Sequence, residues 1–492
     1  MMDSKVPFIT MNGVVPAMYG VNFASNINWT INKGEQWAVV GSNGSGKSFL
    51  AEVLLGRTAC KGEKIKYNFF DEKSEAYKLE HFPVESIVKV CFESAYSMAD
   101  YKNMYYQQRF NSTENEDNPT VEDILKKSTS TKEEFDYWTD RLNLSPLFPK
   151  RIIMLSSGEL RRFLIASVLI RKPDLIIFDN PFIGLDKQTC VQLNTFFKEL
   201  GQFQQMIFVV PSLTEIPDVA THVMPVKDMA FGPAMTVDAF KSDEAYKNSL
   251  FKDVEFPTVE LPEPVVEQTN YEVVMDMKDI NISYPQRTLF KDLNWRILKG
   301  EKWALSGPNG SGKSTLLSLL AADNPKAYAQ NITLFDKRRG TGETIWDIKK
   351  KIGYISSEMH LYFHADQTCL RIVDSGFFDT IGLYKKCTEE QEMIAKCWMK
   401  MLGIDGIADK PYLKVSSGEQ RLVLLARSLV KNPDLLILDE PLHGLDDKNK
   451  ANARKVIERY CAQPGRTMIY VTHRRNEIPS CVTKFFELQK LD

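Results

Sequence analysis

The 492-residue sequence predicts an α/β fold laid down twice along one chain. Three observations predict it. A glycine-rich octapeptide at Gly41–Ser48 (GSNGSGKS) returns at Gly307–Ser314 (GPNGSGKS), 266 residues later. The second copy follows a short apolar strand candidate, Trp303-Ala304-Leu305-Ser306, and a helical pattern begins by Thr315–Leu320. Downstream, Leu175–Phe178 and Leu435–Leu438 are uninterrupted apolar runs of strand length, as expected of parallel strands covered on both faces.

The order of motifs repeats as well. Ser156-Ser157-Gly158-Glu159 recurs as Ser416-Ser417-Gly418-Glu419, and Lys172-Pro173-Asp174 as Asn432-Pro433-Asp434. Gly184-Leu185-Asp186 recurs as Gly444-Leu445-Asp446, Met206–Val209 as Met468–Val471, and Glu215-Ile216-Pro217 as Glu477-Ile478-Pro479. Fixed-period self-similarity of this kind means a duplicated domain. The expected division is a first domain over 1–250, a Pro/Glu-rich linker over 251–270 and a second domain over 271–492. Prolines oppose helix and sheet pairing in the linker, which reads as semi-extended. A polar stretch, Asn111–Asn118, reads as an exposed loop inside the first half.

Bulk composition excludes several classes. With 43% hydrophobic and 26% charged residues the chain reads as an ordinary soluble protein. The net charge of −2 provides no global basic field for coating nucleic acid. No stretch approaches the roughly 20 apolar residues that cross a bilayer, and Met1–Thr10 lacks the pattern of a secretion signal. Eight cysteines are scattered without a CxxC pair or a zinc-like cluster, so they read as thiols in a reducing cytoplasm.

The octapeptides carry phosphate chemistry. Strand, glycine-rich loop and helix in succession make a P-loop, whose backbone N–H groups curl around phosphate oxygens at a helix N-terminus. The nucleotide-binding candidates are therefore Gly41, Ser42, Asn43, Gly44, Ser45, Gly46, Lys47 and Ser48 in the first half. In the second they are Gly307, Pro308, Asn309, Gly310, Ser311, Gly312, Lys313, Ser314 and Thr315. Lys313 is expected to reach the β- and γ-phosphates and Ser314 to ligate Mg²⁺, with Ser48 its counterpart. The run Leu435–Leu438 ends in Asp439-Glu440, where open α/β sheets bind ligands. Asp439 is expected to hold Mg²⁺ through water and Glu440 to polarise the attacking water.

With SSGE after the P-loop, an Asp-Glu-ended strand, Gly-Leu-Asp and then Val471-Thr472-His473, the chain resembles the ATP-binding-cassette (ABC) ATPases over nearly its whole length, twice. The resemblance implies ATP and Mg²⁺ as ligands. It implies two nucleotide-binding domains in tandem, each with a RecA-like core, an antiparallel β subdomain before the P-loop and a helical subdomain, here about 95–155 and 365–415. It also implies that the halves pair, each ATP lying between one P-loop and the other half's signature. Ser156–Glu159 and Ser416–Glu419 match those signatures. The usual form is LSGGQ, so Ser417 stands for a glycine and Glu419 for a glutamine, and the first half departs in the same way. His473 matches the switch histidine that contacts γ-phosphate, and Tyr284 matches the aromatic that stacks on adenine.

The two halves differ where chemistry is concerned. The first keeps its P-loop and Asp179, the magnesium-side carboxylate. Asn180 stands where Glu440 stands, Pro211 where His473 stands, Phe49 where Thr315 stands, and Met18 and Tyr19 fall near the place of Tyr284. Asparagine accepts no proton from water. The first site is expected to bind ATP and turn it over slowly or not at all, while the second site hydrolyses.

The family's glutamine after the following strand is also missing, replaced by Glu93 and Ser357, which weakens membrane coupling of the usual kind. The segment Leu334–Phe363, the insertion Tyr105–Asp117 and the short linker are similar to the ModF-type, photorepair-protein-like tandem ATPases associated with molybdate transport. That resemblance implies a cytoplasmic ATPase, peripheral at the inner membrane face if a permease is supplied by another chain. Two other classes stay open: a soluble regulator of translation like the ABC-F proteins, and an ATPase acting on DNA.

Overall fold

Both faces of the apolar runs are covered in the structure, a computed structural model that describes residues 6–17, 23, 25–62, 64–92, 119–128, 131–152, 155, 157–183, 185, 187–250, 259–262, 270–284, 287–308, 310–356, 359, 363 and 365–491, leaving aside the side chains of Ser157, Lys187 and Arg287. Leu175, Ile176, Ile177 and Phe178 are wholly buried, as are Leu435, Leu436, Ile437 and Leu438. Each such side chain contributes about 1.5–3 kcal/mol relative to exposure. Two compact units make up the chain, the first drawn mainly from residues before 254 and the second mainly from those after.

In the first unit the parallel strands run in the spatial order Ile87–Cys91, Leu175–Asp179, Gln205–Val210, Trp37–Val40, His222–Lys227. In the second they run Ile352–Ile355, Leu435–Asp439, Thr467–Val471, Lys302–Ser306, Lys484–Glu487. The orders are the same, so the duplication seen in sequence is a duplication of topology. An antiparallel sheet precedes each P-loop, built on Pro7–Pro16 with Ile27–Asn32 and on Val273–Tyr284 with Arg287–Leu298.

Packing repeats at the level of single side chains. Trp29 and Trp37 meet edge to face at 5.2 Å, and Trp295 and Trp303 do so at 5.8 Å. Trp37 donates to Glu35 at 3.2 Å and Trp303 to Glu301 at 2.8 Å. Each glutamate also accepts a backbone N–H at the end of the antiparallel strand, from Asn32 and from Leu298, which ties that sheet to the P-loop strand.

Helices fall where the helical subdomains are expected. Glu389–Met401 buries Ile394, Ala395, Trp398, Met399 and Met401. The first half has Val121–Lys127 and Lys132–Arg141, each capped by a threonine. The loop Asn111–Asn118, the insertion Tyr105–Asp117, Met18, Tyr19, Glu93, Ser156, Gly184, Asp186, Asn309 and Ser357 lie outside the described residues. Of the expected linker, 259–262 and Asn270 are described. Val259 and Leu261 pack on the second half's core, and Arg459 donates to the Val259 carbonyl at 2.7 Å. This part of the linker is therefore docked rather than a free spacer.

Candidate nucleotide sites

The second P-loop leaves its strand at Ser306 and curls before the helix Lys313–Leu320. Gly307 has φ 151°, and a Cβ there would lie 2.6 Å from the Leu488 carbonyl and 2.8 Å from Ser311 Oγ. Only glycine fits. The helix is capped by Gly312 in the left-handed conformation with no side-chain acceptor, so its first N–H groups have no side-chain partner of the usual capping kind. Lys313 Nζ folds over the loop to the Gly307 and Pro308 carbonyls at 2.7 and 3.1 Å. Ser311 Oγ is buried with no hydrogen-bond partner among the described residues. Uncapped donors, a cradle closed to any Cβ and an orphaned hydroxyl suit a bound phosphate chain.

The first P-loop repeats this geometry. A Cβ on Gly41 would lie 2.0 Å from the Val226 carbonyl, Gly46 caps Lys47–Leu54 without a side-chain acceptor, and Ser45 Oγ is orphaned like Ser311. Lys47 Nζ donates to the Gly41 and Ser42 carbonyls at 2.8 and 2.7 Å. Burial pushes its pKa down to about 8, against the pull of nearby carboxylates that include Asp179.

Strand register brings the catalytic candidates of the second half to one edge. Asp439 pairs with Val471, and Val471 with Leu305, so the Asp-Glu pair and the P-loop leave the same ends of two parallel strands that flank Thr467–Val471. Glu440 takes φ 52°, a costly conformation for glutamate that recurs at active sites. Its Oε1 accepts the His473 backbone N–H at 2.8 Å, and its Oε2 accepts the Thr472 hydroxyl at 3.3 Å. Burial, then the Asp439 charge, raises Glu440 to about 8, while the His473 N–H favours the ionised form. The structure thus joins His473 to Glu440 through the backbone.

Asn180 occupies the same backbone position, with φ 51° and its own N–H donated to Val209 at 2.9 Å, as Glu440 donates to Val471. Its Oδ1 is buried and has no hydrogen-bond partner among the described residues. The cause is local. The residue aligned with His473 is Pro211, and proline has no N–H to donate. The first half has lost the carboxylate and its backbone donor together.

The two carboxylates expected on the metal side differ in their surroundings. Asp439 and Asp179 are both buried. In the second half Ser314 opens the P-loop helix as its second residue and Asp439 ends the neighbouring apolar strand, an oxygen donor set that suits Mg²⁺. In the first half Lys89 Nζ lies 3.0 Å from Asp179 Oδ2 and 3.2 Å from Glu52 Oε1. Burial alone would lower the Lys89 pKa, but Asp179 and its other neighbours raise it above the ordinary lysine value. Sequence reading did not single out Lys89, because only strand register places it beside Asp179.

The other candidates are placed as follows. Tyr284 ends the antiparallel strand, with Lys326 Nζ 4.9 Å from its ring centroid, so one partner for its π face is a cation within the chain. Phe49, beside Ser48, meets Phe23 edge-on at 6.0 Å, and Phe23 stacks with Phe231 at 6.1 Å. Phe49 therefore packs in an aromatic cluster at the position that Thr315 takes in the second half.

Ser416 caps the helix Ser417–Leu429 in a capping box: Glu419 Oε2 accepts the Ser416 N–H at 2.8 Å and the hydroxyl at 2.6 Å, and Ser416 Oγ accepts the Glu419 N–H. The glutamate at 419 thus has a structural reason. Gly158 and Glu159 lie in the first turn of Ser157–Leu169, with Glu159 paired to Lys150 at 2.8 Å. Ser416→Ala is expected to cost about 1 kcal/mol by thermal unfolding. Glu419→Gln keeps both halves of the box and is expected to change stability by less than about 0.5 kcal/mol. A Ser416→Ala chain that melts with its parent would show that the box does not hold this helix.

The sequence model of the family described as "ABC transporter" matches residues 24–183 and 290–443. The ABC transporter ATP-binding protein ModF of Escherichia coli is 34% identical over 93% of this chain and 92% of its own length. An ABC transporter ATP-binding protein of Schizosaccharomyces pombe is 30% identical over 93% of each chain. Among solved structures, the RNase-L inhibitor is similar with a TM-score of 0.52 at 19% identity, covering 96% of this chain and 87% of that one. A complex of an archaeal ribosomal stalk protein with an archaeal ribosome recycling factor gives 0.51 at 19% identity, covering 92% and 83%. These structural likenesses show the fold.

Proposed function

The chain belongs to the ABC transporter family and is an ATP-hydrolysing ABC ATPase with two cassettes; on that premise we propose that hydrolysis is carried by the second half while the first half binds ATP and keeps the halves associated. One contrast carries this reading: Glu440 accepts the His473 N–H, whereas Asn180 Oδ1 has no hydrogen-bond partner among the described residues and Pro211, at the position of His473, has no N–H to offer. In this reading Lys313 holds the phosphates, and Ser314 and Asp439 hold Mg²⁺. The metal, when bound, neutralises phosphate charge. In its ionised form Glu440 takes the proton of the attacking water, and the His473 N–H, which favours that form, keeps its carboxylate aimed. Tyr284 contributes to the adenine pocket. Ser156–Glu159 serve the second half's nucleotide and Ser416–Glu419 the first's.

For its partner we propose an integral-membrane permease supplied by another chain, as the similarity to ModF favours, with the protein acting at the cytoplasmic face. Among the described residues no helix is long and apolar enough to cross a membrane. The second half has a cavity of about 500 Å³ lined by Trp346, Tyr354, Met359, Phe363 and Tyr384. Trp346 is 55% and Tyr384 78% exposed, and Asp323, Lys349, Asp379, Arg427 and Lys431 also line the cavity, so a mixed aromatic and charged surface is offered to a partner. Affinity purification of the full chain from its own cells, with detergent-solubilised membranes, tests this. A co-purifying membrane permease is expected. Stoichiometric rRNA or DNA without a permease would favour a translation or DNA-repair role and remove the transport reading.

A further inference from the structure

In the first half the carboxylate expected to face the metal is already engaged. Lys89 joins three elements: it sits in the strand Ile87–Cys91, contacts Asp179 at the end of the adjacent strand, and contacts Glu52 on the P-loop helix. Ser48 and Glu52 are four residues apart on that helix and share a face. The Lys89 ammonium therefore bridges the P-loop helix and Asp179, the carboxylate that a cation held with Ser48 would share. The Lys89 and Asp179 side chains are 15% and 9% exposed, so solvent screens the pair little.

The second half has the same scaffold without these charges. Lys89 is in register with Ile177, and Tyr354 with Ile437, which places Tyr354 at the Lys89 position. The P-loop spacing places Ser318 at the Glu52 position, where its hydroxyl donates to the Thr315 carbonyl at 2.7 Å. A half-buried ammonium 3.0 Å from Asp179 repels a divalent ion that shares that carboxylate. It also supplies three N–H donors of its own, which a lysine can offer to phosphate as a point charge.

We infer that Lys89 stands in for the divalent cation in the first half, so that this site takes a nucleoside triphosphate without a metal. The inference rests on the first half binding ATP, as proposed above. It gives a second reason for a binding-only site, independent of Asn180: no cation polarises the γ-phosphate there.

The test uses the full chain carrying Lys313→Ala, which leaves the first P-loop as the intact nucleotide site, titrated with a fluorescent ATP analogue in EDTA and in Mg²⁺. Affinity is expected to agree within about twofold between the two buffers. In the unmodified chain with ATP and Mn²⁺, electron paramagnetic resonance is expected to count one tightly held Mn²⁺ per chain. Lys89→Met should weaken binding in EDTA by about tenfold or more and add a second Mn²⁺, whereas Lys89→Arg should retain metal-free binding. Two Mn²⁺ per unmodified chain, or binding that requires Mg²⁺, overturns the inference and leaves the binding-only reading standing. Absence of nucleotide binding in both buffers overturns that reading as well.

Discussion

Glu440→Gln is expected to lower steady-state ATP hydrolysis by about a hundredfold or more while nucleotide still binds, because a positioned general base contributes roughly 10²–10⁴ to rate. Glutamine keeps the shape of the side chain and can still accept the His473 N–H, but it takes no proton from water. Lys313→Ala should abolish hydrolysis with it, and Lys47→Ala should leave at least about a third of the rate. Coupled-assay kinetics and nucleotide titration separate the two effects. If most activity survives in Glu440→Gln, the first half is competent and the proposed division of labour is wrong. Asn180→Glu alone is not expected to make the first half active. The restored carboxylate would have Pro211 at the position of His473, with no N–H to aim it.

The second large effect is expected from Gly307→Ala. Its φ of 151° is closed to side chains, and the added Cβ would press on the Leu488 carbonyl at 2.6 Å, which is backbone and cannot swing away. A loss of about 2–3 kcal/mol follows from the strain and the clash together. Thermal unfolding of the second half should fall by roughly 5–10 °C, and the half should lose nucleotide. Gly300→Ala is the control. Gly300 also has positive φ, 84°, but nothing lies within 4 Å of its added Cβ. It should cost about 1–2 kcal/mol from backbone conformation alone and keep nucleotide binding. Equal losses in the two variants would show that the contact with Leu488 is unimportant.

Much of the fold is legible in the residues. Four successive apolar side chains at Leu435–Leu438 have no polar face to turn to water, so they require cover on both sides. The P-loops were legible because glycine at 41 and 307 is dictated by backbone approach, a constraint that leaves its mark at single positions. The Ser-x-x-Glu spacing at 416–419 spells a capping box, although sequence reading took it for phosphate recognition alone. Lys89 was not legible. Nothing within the run Ile87–Cys91 says which neighbouring strand its side chain will face, since pairing partners lie about 90 residues apart and register is settled by the whole sheet.

By itself, the sequence determined the duplication, the two glycine-rich loops, the carboxylates at the strand ends and the substitutions at 180 and 211. These are properties of residue type and spacing, which survive without coordinates. The tertiary structure decided what those substitutions touch. It showed that His473 reaches Glu440 through a backbone N–H, so Pro211 removes a donor as well as an imidazole. It also set Lys89 on Asp179. The physical reason is the same in both cases: a hydrogen bond or an ion pair depends on distances of about 3 Å between atoms far apart in the chain, and only the packed sheet brings them there.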